Sequence, residues 1–150
     1  MTSKPVYVLN GPNLNLLGER EKDVYGAETL AGIEQRCRLV AAEHDLAIEF
    51  RQTNQESDLV SWVQEARSRA AAVILNAAAY THTSVAVHDA LKMLSIPVVE
   101  VHLSNIYKRE PFRHHSYVSP VATGVICGFG ARGYELALEA VAGLVKSKAA

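Results

Sequence analysis

Two titratable side chains, separated by one apolar residue, lie near the end of an apolar segment of the chain. Glu100 and His102 lie in the run 96–103, which is otherwise rich in apolar and β-branched residues. In a β-strand, residues two apart point to the same face, so the carboxylate and the imidazole are predicted to meet. A histidine beside a carboxylate can give or take a proton near neutral pH. His102 could instead be a hydrogen-bonded histidine of the core.

Further polar and cationic residues follow three of the apolar runs. They lie in the segments 10–25, 76–84 and 104–113, which carry Asn, Arg, Tyr and His. Ordinary turns more often hold Gly, Asp and Ser. We therefore interpret these segments as the rim of a binding or catalytic site. Arg109 and Arg113 could otherwise be solvated loop residues.

Alternating strand and helix patterns supply the scaffold for this rim. Five short apolar runs alternate with amphipathic segments at helical spacing. The predicted strands are 6–9, 46–53, 72–75, 96–103 and 124–127; the predicted helices follow N-caps at Thr29, Ser57 and Ser84, and a last helix includes 134–145. This order predicts a flavodoxin-like three-layer sandwich, with a five-stranded parallel sheet of order 2-1-3-4-5 and helices on both faces. Ligands of such sheets bind at the carboxyl ends of the strands.

Composition narrows the class of protein. The 150 residues are 49% hydrophobic and carry a net charge of -1, which predicts one globular domain over residues 1–150. Without clustered positive charge, nucleic-acid binding is not expected. No apolar run reaches about 18 residues, so we expect no membrane span. The N-terminal apolar run covers only Val6 to Leu9, so we expect no secretory signal. Cys37 and Cys127 have no metal-ligand spacing, which favours reduced thiols in a cytoplasmic protein.

Several common sites have no motif in this sequence. The segment after the first strand lacks both G-x-G-x-x-G and the P-loop pattern G-x-x-x-x-G-K-[ST]. A phospho-acceptor domain would carry acids where this chain has Asn10 and Asn76. No His, Cys or Asp cluster has zinc spacing. The sequence therefore gives no support to a dinucleotide fingerprint, a P-loop, a phospho-acceptor site or a zinc site.

The chain resembles the type II 3-dehydroquinate dehydratases over nearly its whole length. The likeness is carried by the runs LNGPNLNLLGER (9–20), VYG (24–26), ILNAAAYTHTSVAVHDAL (74–91), EVHLSN (100–105) and REPFRHHSYVSPVATGVICGFGARGYELAL (109–138). The resemblance implies removal of water from 3-dehydroquinate to give 3-dehydroshikimate, in the shikimate pathway or in quinate catabolism. It also implies a homododecamer, a tetramer of trimers, that uses no cofactor.

The same resemblance implies roles for individual residues in a β-elimination through an enolate. Tyr25, as tyrosinate, would be the base, and the Arg20 guanidinium would favour its anion. Asn13 would help to hold a water that stabilises the enolate. His102 would protonate the departing hydroxyl, and Glu100 would orient the imidazole.

Substrate binding is implied for a second group of residues. Its members are Asn76, His82, Arg113 and the backbone amides of Leu103 and Ser104. By resemblance, Asp89 reaches the site of an adjoining subunit, although it could equally be a surface charge. Arg109 matches an arginine of a mobile lid, whose other part is the loop 18–25.

Three alternatives remain open at this point. A Schiff-base mechanism would need a desolvated lysine, whereas all lysines lie in predicted loops, termini or helix surfaces: Lys4, Lys22, Lys92, Lys108, Lys146 and Lys148. A flavodoxin-like module could bind FMN or a partner protein without catalysis. A hydrolase could use Ser84 or Ser104 with a histidine.

Overall fold

A five-stranded parallel sheet of order 2-1-3-4-5 forms the centre of the structure, as predicted. The computed structural model describes residues 3–19, 21–25 and 27–149, and of residues 22, 25 and 147–149 it describes the backbone alone. The strands are β1 (Val6–Asn10), β2 (Ile48–Gln52), β3 (Ala72–Asn76), β4 (Val98–His102) and β5 (Gly124–Cys127). All neighbouring pairs run parallel.

Helices cover both faces of the sheet, which confirms the flavodoxin-like three-layer fold. They are α1 (Lys22–Tyr25), α2 (Leu30–Glu43), α3 (Glu56–Arg69), α4 (Val85–Lys92) and α5 (Arg132–Ala149). The apolar side chains of α2 and α5 pack on one face of the sheet. Those of α3 and α4 pack on the other face. In the described part of the chain, no helix combines the length and apolar character needed to cross a bilayer.

Two of the three predicted N-caps are confirmed. The Thr29 hydroxyl accepts from the amide of Gly32, and the Ser84 hydroxyl accepts from the amide of Val87. The prediction for Ser57 is wrong, because α3 begins at Glu56 and its N-cap is Gln55.

The reason for this earlier start lies in Thr53. Its hydroxyl accepts from the Gln55 amide at 3.0 Å and donates to the Asp58 carboxylate at 2.5 Å. These bonds turn the chain directly after β2, so Ser57 falls inside the first helical turn.

Three predicted boundaries need correction. The strand predicted over 46–53 is shorter, because the amide of Leu46 donates to the backbone oxygen of Ala41 and closes the end of α2. The strand predicted over 96–103 is also shorter at both ends. Lys22 and Tyr25, which the sequence analysis places in a loop, instead begin and end the short helix α1.

The three central strands are buried along their whole length. Most of their side chains are apolar, as a sheet covered on both faces requires. The exceptions collect towards the carboxyl ends, where Asn10, Asn76, Glu100 and His102 are buried. Buried polar groups need hydrogen-bond partners, so this edge of the sheet must contain an ordered polar network.

Candidate active site

A small cleft of about 110 Å³ opens at the carboxyl ends of β3 and β4. Most of the residues selected from the sequence line it: Asn13, Asn76, His82, His102, Leu103, Ser104, Arg109 and Arg113. Pro12, Leu14, Ala78, Ala79 and Ile106 complete its wall. The lining combines hydrogen-bond donors, two guanidinium groups and two imidazoles, which suits a small anionic molecule.

His102 and Glu100 form a buried pair at the end of β4. The Nε2 atom of His102 lies 2.5 Å from the Oε2 atom of Glu100. His102 is 5% exposed and Glu100 is 0% exposed. A carboxylate only accepts hydrogen bonds, so Nε2 carries a hydrogen and Nδ1 is the nitrogen left for proton exchange.

Two serines that the sequence analysis did not single out also donate hydrogen bonds to this carboxylate. Ser116 donates to Oε2 of Glu100 at 2.9 Å, and Ser119 donates to Oε1. Burial alone raises the pKa of Glu100, but the bonds from His102, Ser119 and Ser116 lower it below its ordinary value. The carboxylate therefore stays ionised inside the protein.

The Ser116 hydroxyl also organises its own loop. It accepts from the amides of Val118 at 3.1 Å and Ser119 at 3.0 Å. Serine hydroxyls commonly make such local turns, so a serine at this position of the sequence does not indicate a contact with a distant carboxylate. Only the fold brings the loop to Glu100.

The same loop fixes the second imidazole of the cleft. The Nδ1 atom of His82 lies 2.8 Å from the backbone oxygen of His115, and therefore donates to it. Burial lowers the pKa of His82 below its ordinary value. The ring is then neutral near pH 7, with its lone pair on Nε2, where it can accept a hydrogen bond from a hydroxyl. Its centroid lies 6.2 Å from that of His102.

The loop after β1 approaches the end of β3 closely enough to need a glycine. The amide of Gly11 donates to the backbone oxygen of Asn76 at 2.8 Å. A Cβ at Gly11 would lie 2.4 Å from the backbone oxygen of Ala77. This contact holds Asn13 in the cleft wall, and the Asn13 amide donates to the side chain of Asn54 at 3.0 Å. Asn54 was not selected from the sequence.

Two of the three arginines selected from the sequence, Arg109 and Arg113, line the cleft, and solvent reaches little of either side chain. The side chain of Arg109 is 12% exposed and that of Arg113 is 19% exposed. Arg109 contacts the Ser104 hydroxyl at 3.5 Å and lies 3.7 Å from the Glu21 carboxylate. Arg113 donates to Glu110 at 3.1 Å. Two guanidinium groups therefore lie at the rim of the cleft, each with a carboxylate within 4 Å.

Helix α1 lies beside the cleft. Asp23 and Val24 line an adjoining cavity of about 410 Å³, together with Leu103, Ser104 and Arg109. Arg20 lies outside the described residues, as does the side chain of Tyr25. Their roles therefore remain predictions.

Asp89 is separate from the cleft. It is exposed on α4 and lines a groove of about 480 Å³ between α3 and α4. Arg67 and Met93 border the same groove. Within one chain, Asp89 is therefore not brought to the other predicted site residues.

The described lysines do not line the cleft. Lys4, Lys92, Lys108 and Lys146 are exposed, which gives no support to a Schiff base at those positions. Among the described residues, no group of three or more His, Cys, Asp or Glu side chains is arranged to hold a metal ion. The Ser84 hydroxyl donates to Glu56 and caps α4, so it is not paired with a histidine as a hydrolase would need.

Comparisons by family model, by sequence and by structure all find that the chain is similar to dehydroquinases. The family model described as dehydroquinase class II matches residues 4–142. A 3-dehydroquinate dehydratase from Brucella canis is 60% identical over 146 residues, covering 97% of this chain and 93% of the relative. The type II dehydroquinase structure from Propionibacterium acnes has a TM-score of 0.90 at 45% identity, covering 95% of this chain and 98% of that one. The type II dehydroquinase structure from Butyrivibrio crossotus has a TM-score of 0.89 at 38% identity, covering 92% and 97%.

Proposed function

The chain belongs to the class II dehydroquinase family of 3-dehydroquinate dehydratases, and we propose that it converts 3-dehydroquinate to 3-dehydroshikimate and water through an enolate. The observation that carries the mechanism is the buried pair of Glu100 and His102, in which the imidazole lines the cleft together with Asn13, Arg109 and Arg113. Such a cleft can bind an anionic substrate and supply a proton to a leaving group.

The first step is removal of a proton from the carbon next to the ketone. Tyr25 is the proposed base, acting as tyrosinate. A free tyrosine has a pKa of about 10 and is a poor base at neutral pH. Arg20, five positions earlier in the chain, is the proposed cation that favours the anion. The electron pair of the broken C–H bond then forms the enolate.

The enolate oxygen needs stabilisation until the leaving group departs. Asn13 is proposed to hold a water that donates to this oxygen. The left-handed backbone of Asn13, with φ 69°, and its anchor to Asn54 support a fixed position for its amide side chain.

The second step expels the hydroxyl. The enolate electrons reform the ketone and a new C=C bond, while the C–O bond breaks. His102 gives its Nδ1 proton to the departing oxygen, which leaves as water. Glu100 stabilises the imidazolium before transfer and holds the ring in one orientation.

Substrate binding is assigned to the remaining residues of the cleft. Asn76, Arg113 and the backbone amides of Leu103 and Ser104 offer hydrogen bonds to carboxylate and hydroxyl oxygens. The neutral ring of His82 suits a hydroxyl as its partner. Arg109, which lies near Glu21 just before α1, is proposed to act with the segment 18–25 as a lid.

We propose the wider assembly on the resemblance and on the location of Asp89. Residues 1–150 would form one catalytic domain, twelve copies would assemble as a tetramer of trimers, and Asp89 would reach the site of a neighbour. Its exposure on α4, away from its own cleft, supports this role. The free thiols of Cys37 and Cys127 support a cytoplasmic location. Neither a nucleic acid nor a cofactor has a role in this mechanism.

The direct test is an assay of purified protein with 3-dehydroquinate. Absorbance of a conjugated enone should appear, with equal rates with and without a chelator. A yellow protein that leaves 3-dehydroquinate unchanged would favour an FMN-binding module instead. Growth of a deletion strain without aromatic amino acids, and separately on quinate as carbon source, distinguishes the shikimate pathway from quinate catabolism.

A second test addresses covalent chemistry. Borohydride added during turnover should leave the protein mass unchanged, because the enolate route forms no iminium with a lysine. A mass increase of one substrate unit on a lysine peptide would overturn the enolate mechanism and the assignment of Tyr25.

A further inference from the structure

A buried network of hydrogen bonds connects the cleft to the interior of the fold. It includes Asn76 at the end of β3, Tyr134 on α5 and Asn10 at the end of β1. These three residues are between 0% and 3% exposed. Only Asn76 lines the cleft, so the other two have no direct access to a ligand there.

The donor-to-acceptor direction of these hydrogen bonds is fixed at Asn10, the inner end of the network. The Nδ2 atom of Asn10 lies 3.0 Å from the backbone oxygen of Arg51. A backbone oxygen only accepts, so the nitrogen of the Asn10 amide must face it. The Oδ1 atom of Asn10 therefore faces the Tyr134 hydroxyl, 2.7 Å away.

The Tyr134 hydroxyl bonds to both asparagines, so the orientation of Asn10 determines that of Asn76. Burial raises its pKa above the ordinary value, so the group keeps its single hydrogen near neutral pH. That hydrogen is donated to Oδ1 of Asn10. The phenolic oxygen must then accept from Nδ2 of Asn76, which lies 2.9 Å away.

The amide of Asn76 is thus oriented from both of its ends. Its Oδ1 atom accepts from the amide of Ala78 at 3.2 Å, while its Nδ2 atom donates to Tyr134. One hydrogen on Nδ2 remains for a ligand. Reversing the amide would oppose two donors at Ala78 and leave the phenolic oxygen facing Oδ1 without a hydrogen between them.

We propose that Tyr134 is a positioning residue, which fixes Asn76 as a hydrogen-bond donor to an acceptor oxygen of the substrate, with Asn10 setting the direction of the bond. The inference rests on the proposed function for the identity of the substrate. Helix α5, which packs on one face of the sheet, would therefore contribute to substrate affinity through Tyr134.

The test is a double-mutant cycle between Tyr134→Phe and Asn76→Ala, with 3-dehydroquinate as substrate. Tyr134→Phe removes only the hydroxyl, so KM should rise by about tenfold while kcat stays within about twofold. In the Asn76→Ala background the same change should have no effect on KM, because Tyr134 acts through Asn76.

Tyr7→Phe is the matched control. Tyr7 is 2% exposed, its hydroxyl donates to Glu65, and burial with that contact raises its pKa to about 12. The variant also loses the hydrogen bond of a buried tyrosine hydroxyl, here to a carboxylate, at a residue that does not line the cleft. Its KM should match that of the unmodified chain.

Three outcomes would overturn the proposal: an unchanged KM in Tyr134→Phe, an equal rise in both backgrounds, or the same rise in Tyr7→Phe. Neutron diffraction of the unmodified protein gives a readout that needs neither folding of a variant nor turnover. A deuteron on the Tyr134 oxygen directed to Asn10 supports the proposal, and one directed to Asn76 overturns it. Absence of turnover in the unmodified protein would reject the proposed function alone.

Discussion

Ser119 donates its hydroxyl hydrogen to Oε1 of Glu100, while His102 occupies the other carboxylate oxygen. The imidazole is therefore positioned by the Glu100 carboxylate, which is itself held by the loop that contains Ser116 and Ser119. Ser116 adds a second bond to Oε2 from the same loop. The orientation of His102 thus depends on residues that touch no ligand.

Ser119→Ala should make the protein less stable at neutral pH. In the native protein the pKa of Glu100 is lowered, so the carboxylate stabilises the fold above its unfolded pKa and loses this effect as pH falls through the folded pKa. Without the Ser119 hydroxyl the pKa rises, and the free energy of unfolding at pH 7 should fall by about 1.5–3 kcal/mol. Urea unfolding at pH 7 and in steps below pH 5 should show this difference shrinking as Glu100 becomes protonated.

Ser84→Ala is the control for that experiment. Its hydroxyl also bonds a glutamate, Glu56, and it caps α4. Loss of the cap should cost about 1 kcal/mol without lowering kcat. Ser119→Ala should also lower kcat, because Glu100 positions His102, and equal turnover in the Ser119 and Ser84 variants would contradict that role.

Glu100→Gln should lower kcat far more than it changes KM. The amide retains the size of the carboxylate but supplies no negative charge to the imidazolium. We expect kcat to fall by about 10²-fold or more, within the range that general acid–base catalysis contributes. Steady-state kinetics measure this, and a variant with normal kcat would remove the pair of Glu100 and His102 from the mechanism.

Tyr25→Phe should bind substrate and lose nearly all turnover, because only the phenolic oxygen is removed. Isothermal titration with 3-dehydroquinate would report affinity, and the enone absorbance would report turnover. The matched change Tyr7→Phe, in the core, should retain activity. Comparable rates in the Tyr25 variant would exclude Tyr25 as the base.

Gly11→Ala should damage both the fold and the cleft. The new Cβ would lie 2.4 Å from the backbone oxygen of Ala77, so the loop carrying Asn13 must move. Overpacking of this kind typically costs about 1–3 kcal/mol. Gly143→Ala on α5 is the control, since among the described residues no atom beyond its chain neighbours and its own helical backbone lies within 4 Å of the added Cβ. This change should stabilise the helix by up to about 1 kcal/mol. Thermal unfolding and kcat/KM of both variants test the contrast.

Asp89→Ala should weaken substrate binding while the helix content stays normal, if the side chain serves a neighbouring site. Light scattering of the unmodified protein should show a large closed assembly. Circular dichroism checks that α4 is intact. A fully active monomer would contradict the shared site.

The alternation of strands and helices, and the shared strand face of Glu100 and His102, could be predicted because both follow from local periodicity. The strand order 2-1-3-4-5 follows instead from the likeness of this element order to flavodoxin-like folds. Strand alternation alone brings residues two apart to one face. Tyr134 could not be recognised in this way, since on its helix it is one more residue of the buried face. Its partners Asn10 and Asn76 are 124 and 58 positions away. Contacts at such separations depend on how layers stack, which no local pattern encodes.

The register between β1 and β3 places Asn10 directly opposite Asn76. A slip of β1 by one residue would put Leu9 or Gly11 in that place and turn the strand's side chains to the other face. Tyr134 would then face no acceptor, and the Asn76 amide would lose its orientation. Substrate affinity therefore depends on correct strand assembly, and compact protein in which β1 and β3 have paired out of register should show a raised KM.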